Sequence, residues 1–248
     1  MIRAVENALV LIEAIDRLEG EAGVTELAAE TDLAKSTVHD HVETLVDHGY
    51  VVRDGGTPEL SYRVLQLGER RRRRTSHIDA AERAVGELAR RTGERTHYAV
   101  LDGTRVVFLL TETGETAVRT DVQPGEAVPL HATATGKVLL AHAPPDRREE
   151  LISAVELSAL TENTITDAAV LRDELVSIRE EGLARSEEEY IQNLWSASAP
   201  VFDGENELVG ALSVSAPASR FDREAVAADL TTALLEAVEE FALSITYD

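Results

Sequence analysis

The chain has no cysteine, and only two of its 248 residues, Lys35 and Lys137, are lysines. The first absence excludes disulfides, iron–sulfur clusters and thiolate metal sites, and says little about redox compartment. Aromatic residues are scarce at 4%. No apolar run approaches the roughly 18 to 20 residues that a membrane span needs, and the N-terminus lacks a basic stretch followed by an apolar signal core. A soluble, cytoplasmic protein without a membrane partner is therefore expected. What is present suffices for real cores: 44% of the residues are hydrophobic, in a chain long enough for one large or two small domains.

Basic charge is the other shortage. There are 46 acidic against 24 basic side chains, a formal net charge of −22. At low ionic strength such a charge opposes a polyanion such as DNA at long range. The imbalance is uneven: residues 1–77 carry 10 basic and 14 acidic side chains, and residues 78–248 carry 14 and 32. Lysine depletion with abundant Asp and Glu resembles proteins of salt-accumulating, halophilic microbes. There, at about 1 M salt, the Debye length falls to about 3 Å and long-range repulsion is screened away. The acidity then reflects solvent more than partners.

Periodicity organises the N-terminal part. In "VENALVLIEAIDRLEG", Val5, Leu9, Ile12, Ile15 and Leu18 recur at helical spacing, which predicts a helix burying that stripe and stopping near Gly20. A short helix follows, with Thr25 before it, Leu27 and Ala28 inward, and its end at Glu30. After a turn at Asp32 to Ala34, "KSTVHDHVETLVDHG" predicts a third helix, capped by Ser36 or Thr37, with Val38, Val42 and Leu45 inward and Gly49 as its stop. Then "YVVRD" and "LSYRVL" are β-prone runs joined by "GGTPE". Three helices and a hairpin make the winged helix-turn-helix pattern. "LQLGERRRRRTSHIDAAERAVGELARRTG" reads as a long helix interrupted near Thr75.

The remainder mixes strands and helices. "RTHYAVLDGTRVVFLLTETG" is a hairpin turning at Asp102-Gly103, "AVRTDVQPGEAVPL" continues the β pattern, and "TATGKVLLAHAP" and residues 167–181 are helices. The hairpin "APVFDGENELVGALSVSAP" precedes an amphipathic helix from about Asp222 to Leu243. The expected fold class is α+β throughout: a winged helix-turn-helix domain at 1–65, a linker helix at 66–91 and an α/β sandwich domain at 92–248.

Three segments in order, "LAKSTVHDHVETLVDHGYV", "PLHATATGKVLLA" and "APVFDGENELVGALSVSAPASR", resemble the IclR family of transcriptional regulators, from about Val5 to Leu243. The resemblance implies an N-terminal winged helix on double-stranded operator DNA, a linker helix, and a GAF-like C-terminal domain binding a small-molecule effector, a metabolite. It also implies a homodimer or a dimer of dimers, and no cofactor.

Candidate residues follow from both readings. The N-terminal end of a major-groove helix reaches base edges, which selects Lys35, Ser36, Thr37, His39, Asp40 and His41. Asp40 departs from the basic residue often found in the family, which alters the expected base preference. Arg53 at the end of the first wing strand, and Arg3, are placed to meet phosphates. The five arginines Arg70 to Arg74 point all round a helix, so they cannot all meet one DNA backbone; pairing with acidic surface and DNA contact both stay open.

For the effector, the resemblance implies a pocket built by Ala134 and Thr135 at a helix N-terminus, by Ser213 and Ser215 on a late strand, and by Ser186 and Ser196. The last two stand where the family commonly has an aspartate and a cysteine, so a different ligand is expected. Helix N-termini favour anions, and i, i+2 spacing puts Ser213 and Ser215 on one face. No G-x-S-x-G, no H-E-x-x-H and no metal-ligand spacing among the seven histidines is found, so neither catalysis nor metal binding is expected. His131 is the one acid–base candidate, in a turn where histidines are usually structural. The alternative function is a small-molecule-binding or enzymatic α+β protein whose N-terminal helices serve only assembly.

Overall fold

The computed structural model describes residues 2–118, 122–220 and 224–247. The chain parts into two compact units, Met1–Arg74 and Thr75–Asp248. In the first, α1 (Arg3–Arg17), α2 (Val24–Thr31) and α3 (Lys35–Asp47) precede an antiparallel hairpin of β1 (Val51–Asp54) and β2 (Thr57–Leu60), then α4 (Arg63–Arg72). Leu11 and Ile15 of α1, Leu27 of α2, Val38, Val42 and Leu45 of α3 and Val51 of β1 make the core.

Several details correct the sequence reading. On α1 the inward side chains are Leu11, Ala14 and Ile15, whereas Val5 and Leu9 are 55% and 56% exposed. The helix carries apolar residues on two faces, and spacing alone selects either. The short helix α2 begins at Val24, so Thr25 lies inside its first turn. On α3 the N-cap is Ala34 without a side-chain bond, so Ser36 and Thr37 lie within the first turn and cap nothing. In the wing, Gly55 and Gly56 both take positive φ, 56° and 101°, and close a two-residue turn. The second strand therefore starts early, at Thr57, and accommodates Pro58 as an edge strand can. The expected strand at Leu60 to Leu65 instead enters α4, where Ser61 Oγ accepts from the Arg63 amide at 3.2 Å.

The second unit starts with α5 (Ile78–Thr92), which follows His77 in the left-handed conformation, φ 64°. The helical stretch at 66–91 is thus two helices, broken between Arg72 and Ile78. α5 buries Ile78, Ala81, Val85 and Leu88 in the core of this unit. The other elements are β3 (Arg95–Asp102), β4 (Arg105–Thr113), β5 (Ala127–Val128), α6 (Ala134–His142), α7 (Pro145–Ala154), α8 (Ala168–Glu181), β6 (Ala184–Glu187), β7 (Leu194–Phe202), β8 (Leu208–Pro217) and α9 (Glu224–Thr246). Sequence reading found neither α7 nor β6. Of the β pattern expected at 117–130, Ala127–Val128 is strand, and residues 119–121 lie outside the described residues.

The six strands form one antiparallel sheet in the order β5-β4-β3-β8-β7-β6. Alternation along each strand sends Tyr98, Leu212 and Val214 to a core shared with α5 and α9, and Ala99, Val106 and Ala211 to a second core shared with α6 and α8. The start of α6 is pinned to the preceding turn: Thr133 Oγ accepts from the Gly136 amide at 2.9 Å and donates to Pro129 O at 2.8 Å. A Cβ at Gly136 would lie 2.5 Å from Leu130 O, so only glycine permits this approach.

Candidate functional site

The start of α3 offers a polar, accessible surface. Lys35, Ser36, His39 and Asp40 are exposed and Thr37 is half-buried, while the interleaved Val38 and Val42 are buried. His39 lies 3.6 Å from Asp40 and 3.9 Å from Glu43, loose pairs that hold neither ring nor carboxylate rigidly. His41 differs. Its Nδ1 meets Thr37 O at 2.8 Å and its Nε2 meets Ala4 O at 3.2 Å, so the ring ties α3 to α1. Arg53 is exposed but folds back along the surface, donating to Glu43 and, at 3.3 Å, to Gly56 O, which braces the wing against α3. Arg3 is exposed. In the arginine run, Arg72 and Arg73 bond Glu69 at 2.9 and 2.6 Å. Those two hydrogen bonds, from Arg72 first and Arg73 second, pull the Glu69 carboxyl down to about 2.

In the second unit the sheet register assembles a row of hydroxyls. Ser186 on β6 pairs with Ser196 on β7, and Ser196 pairs with Ser215 on β8. In the next row Ser213 on β8 pairs with His97 on β3. Direct partners share a face, so these side chains converge under the N-terminus of α6. They line a small cavity of about 40 Å³ with Thr133, Thr135, Phe108, Val122, Tyr190, Ile191 and Leu194. The structure thus brings together Thr135, Ser186, Ser196, Ser213 and Ser215. Ala134 does not reach this lining; its side chain is buried in the core beneath α6. Ser186 Oγ is committed to Ala132 O at 3.1 Å.

Among the described residues, none in that lining carries a formal charge. The His97 ring stacks on Phe108 with centroids 4.4 Å apart, and its Nδ1 meets Thr111 Oγ at 3.0 Å. Burial, with the nearby Arg95 guanidinium adding to it, drops its pKa to about 3, so it is neutral at physiological pH. His131 is buried outside the cavity with Nε2 on Ser158 O at 3.0 Å, the arrangement of a structural histidine. Among the described residues no group of His, Asp and Glu is arranged to hold a metal.

This arrangement has relatives. Residues 73–246 match the family described as "Bacterial transcriptional regulator IclR C-terminal", and residues 4–55 match the "IclR helix-turn-helix domain". The chain belongs to the IclR family. It is 33% identical over 226 residues to the HTH-type transcriptional regulator XynR of Escherichia coli, covering 90% of this chain and 89% of that one. The IclR structure from Thermotoga maritima superposes with a TM-score of 0.82 at 28% identity, covering 99% of both chains. An IclR homologue from Microbacterium hydrocarbonoxydans, complexed with 4-hydroxybenzoate, shares the fold with a TM-score of 0.74 at 23% identity, covering 96% of this chain and 99% of that one.

As an IclR regulator the protein has a helix-turn-helix DNA-binding domain and a C-terminal effector-binding domain, and its relatives are transcriptional regulators, not enzymes. Among the described residues no helix is long and apolar enough to cross a membrane. In this IclR chain, sequence reasoning missed His97, Phe108, Tyr190 and Ile191 as cavity neighbours. A signal for His97 existed in the alternation of β3, but it became specific only once β3 was paired with β8.

Proposed function

We propose that this IclR regulator, working in the cytoplasm, reads operator DNA with the exposed start of α3 and answers a small metabolite held in the serine-lined cavity. The reading set is Lys35, Ser36, Thr37, His39 and Asp40. His41 and Arg53 act instead as braces that hold α3 against α1 and the wing, because their polar atoms are engaged within the protein. The observation carrying the effector assignment is the convergence of Thr135, Ser186, Ser196, Ser213 and Ser215 around one cavity. Its hydroxyls and neutral histidine suit a compact, oxygen-bearing metabolite. The space of about 40 Å³ is well below the ~150 Å³ that accommodates a benzene-sized guest, so effector entry opens the cavity. Binding shifts the regulator only if its two states hold the effector with different affinity.

The protein acts as a homodimer or dimer of dimers. The outward apolar face of α1, with Ile2, Val5, Leu9 and Val10 lining an open groove, supports pairing of two copies through the first unit. Val5→Glu with Leu9→Glu is expected to lower the oligomeric state in sedimentation without melting the domain.

Footprinting on the regulator's own upstream region, with and without candidate metabolites, tests the whole reading. A protected operator whose occupancy changes with one metabolite supports it. Protection indifferent to every metabolite that shifts the protein's melting would separate the cavity from regulation.

A further inference from the structure

We propose that Lys137 is a positioning residue that latches the cavity shut from below, by fastening the loop at residues 188–193 to α6. The inference rests on the cavity being the effector site. Lys137 lies two residues beyond Thr135, whose side chain lines the cavity, and its own side chain is only 1% exposed. Its Nζ donates to Glu189 Oε1 at 2.7 Å and to Glu174 Oε1 at 3.1 Å. Glu189 in turn begins the stretch whose next two residues, Tyr190 and Ile191, wall the cavity.

The loop is built to move as one piece. Both ends are non-glycine residues in the left-handed region, Glu188 at φ 59° and Asn193 at φ 61°. Its base is closed by the Glu188 amide donating to Leu194 O at 2.8 Å and by the Asn193 amide donating to Glu188 Oε2 at 2.7 Å. Non-glycine residues in this region persist only where their surroundings hold them. Beyond those base hydrogen bonds, the Ala218 amide donates to Asn193 O at 2.8 Å at the far end, and the near end is held by Thr161 and Thr164, which donate to Glu189 O at 3.2 and 2.7 Å, and by the Lys137 ion pair.

The loop also faces two spaces. Glu189 and Glu174 line a cleft of about 550 Å³, while Tyr190 and Ile191 line the small cavity of about 40 Å³. Swinging the loop about its two ends joins cleft to cavity and gives a metabolite its way in. Breaking the Lys137–Glu189 ion pair is the step that permits the swing. The ion pair joins α6 to the loop while both members are present, and removing Lys137 leaves the Glu189 carboxylate buried without its counter-charge, which suits a latch better than a hinge.

The absence of cysteine makes the test direct. Ser213→Cys places the chain's only thiol in the cavity, and Val214→Cys, in a separate full-length variant, places one on the opposite face of the sheet, in the core with α5 and α9. Iodoacetamide alkylation of each is timed in the parent, in Lys137→Met and in Glu189→Gln. The expected result is alkylation of Ser213→Cys about tenfold faster in both latch variants, with Val214→Cys unchanged within about twofold, the pattern of local rather than global opening. Should Lys137→Met not fold, Glu189→Gln alone gives the same comparison. Equal acceleration at both thiols, or none at Ser213→Cys, overturns the proposal. Because no effector is used, this outcome is independent of whether a metabolite regulates operator binding.

Discussion

His97 on β3 and Ser213 on β8 are direct cross-strand partners, and both line the cavity under α6. The pairing joins a ring made neutral by burial to a hydroxyl with almost no solvent access, so a change at either is felt in the cavity before it is felt elsewhere. Ser213→Leu fills a space of about 40 Å³ and removes a hydroxyl. The expected outcome is loss of the metabolite response with operator affinity retained. Overpacking a tight site adds a stability loss of about 1 to 3 kcal/mol. Isothermal titration with the metabolite identified by footprinting checks this, and normal binding would place the effector elsewhere.

His97 also makes stability depend on pH. Its folded pKa of about 3 lies below the ordinary histidine value near 6.5, because burial disfavours the imidazolium. Between those values the unfolded chain takes up a proton that the folded chain refuses. The contribution is therefore whole above about pH 6.5 and is lost as pH falls toward about 3. At pH 5 the loss is about 2 kcal/mol relative to pH 7. Urea titrations of the parent and of His97→Gln at pH 7 and pH 5 measure it as a difference. Equal pH dependence in the two proteins would show that His97 is not the titrating group.

Much of this architecture is legible in the sequence, and the exceptions have physical causes. Val38, Val42 and Leu45 read correctly because α3 has one apolar stripe, whereas α1 has two and its periodicity does not say which is buried. The hairpin at Asp102 is legible because its turn chemistry is local. The second wing strand is misplaced because "LSYRVL" alternates over too few residues to outweigh a helix start at Ser61. In the cavity, Ser213 and Ser215 share a face by spacing alone, but their meeting with Ser196, Ser186 and His97 depends on strand order, which no local pattern encodes. Lys137 leaves one trace, a charged residue inside the apolar run "TGKVLLA"; its partners are distant in sequence.

The reading role of α3 has a cleaner test than sequence alone allows. Neither Ser36 nor Thr37 caps the helix, so their replacement by alanine removes the hydroxyls at the start of α3 without removing a cap. The double variant Ser36→Ala, Thr37→Ala is expected to melt as the parent does. Its specific operator affinity is expected to fall by about 1 to 3 kcal/mol for each good hydrogen bond to a base that the hydroxyls supply. Competition with non-specific DNA in a mobility-shift assay separates weakened discrimination from weakened phosphate attraction. Unchanged operator affinity would take this helix out of the reading role.

Salt sets two opposed forces on the same complex. Each phosphate neutralised by the protein releases counterions, so affinity ordinarily falls as salt rises. Against this stands a net charge of −22, of which residues 78–248 hold most, with 32 acidic against 14 basic side chains. Several arginines are already closed onto glutamates of the same chain, as in Arg172–Glu149 and Arg17–Glu30, leaving the acidic excess to repel itself and the DNA. Salt screens that repulsion over a Debye length that shrinks from about 10 Å at 0.1 M to about 3 Å at 1 M. Self-repulsion weakens the compact state, and repulsion from DNA slows approach, so both relax together. The expected result is a melting temperature that climbs with KCl and an operator affinity with its optimum near molar salt. Titrations across roughly 0.1 to 3 M KCl decide it. A monotonic fall in affinity with a melting temperature indifferent to salt would mean that counterion release alone governs binding, and would leave the acidity unconnected to the solvent.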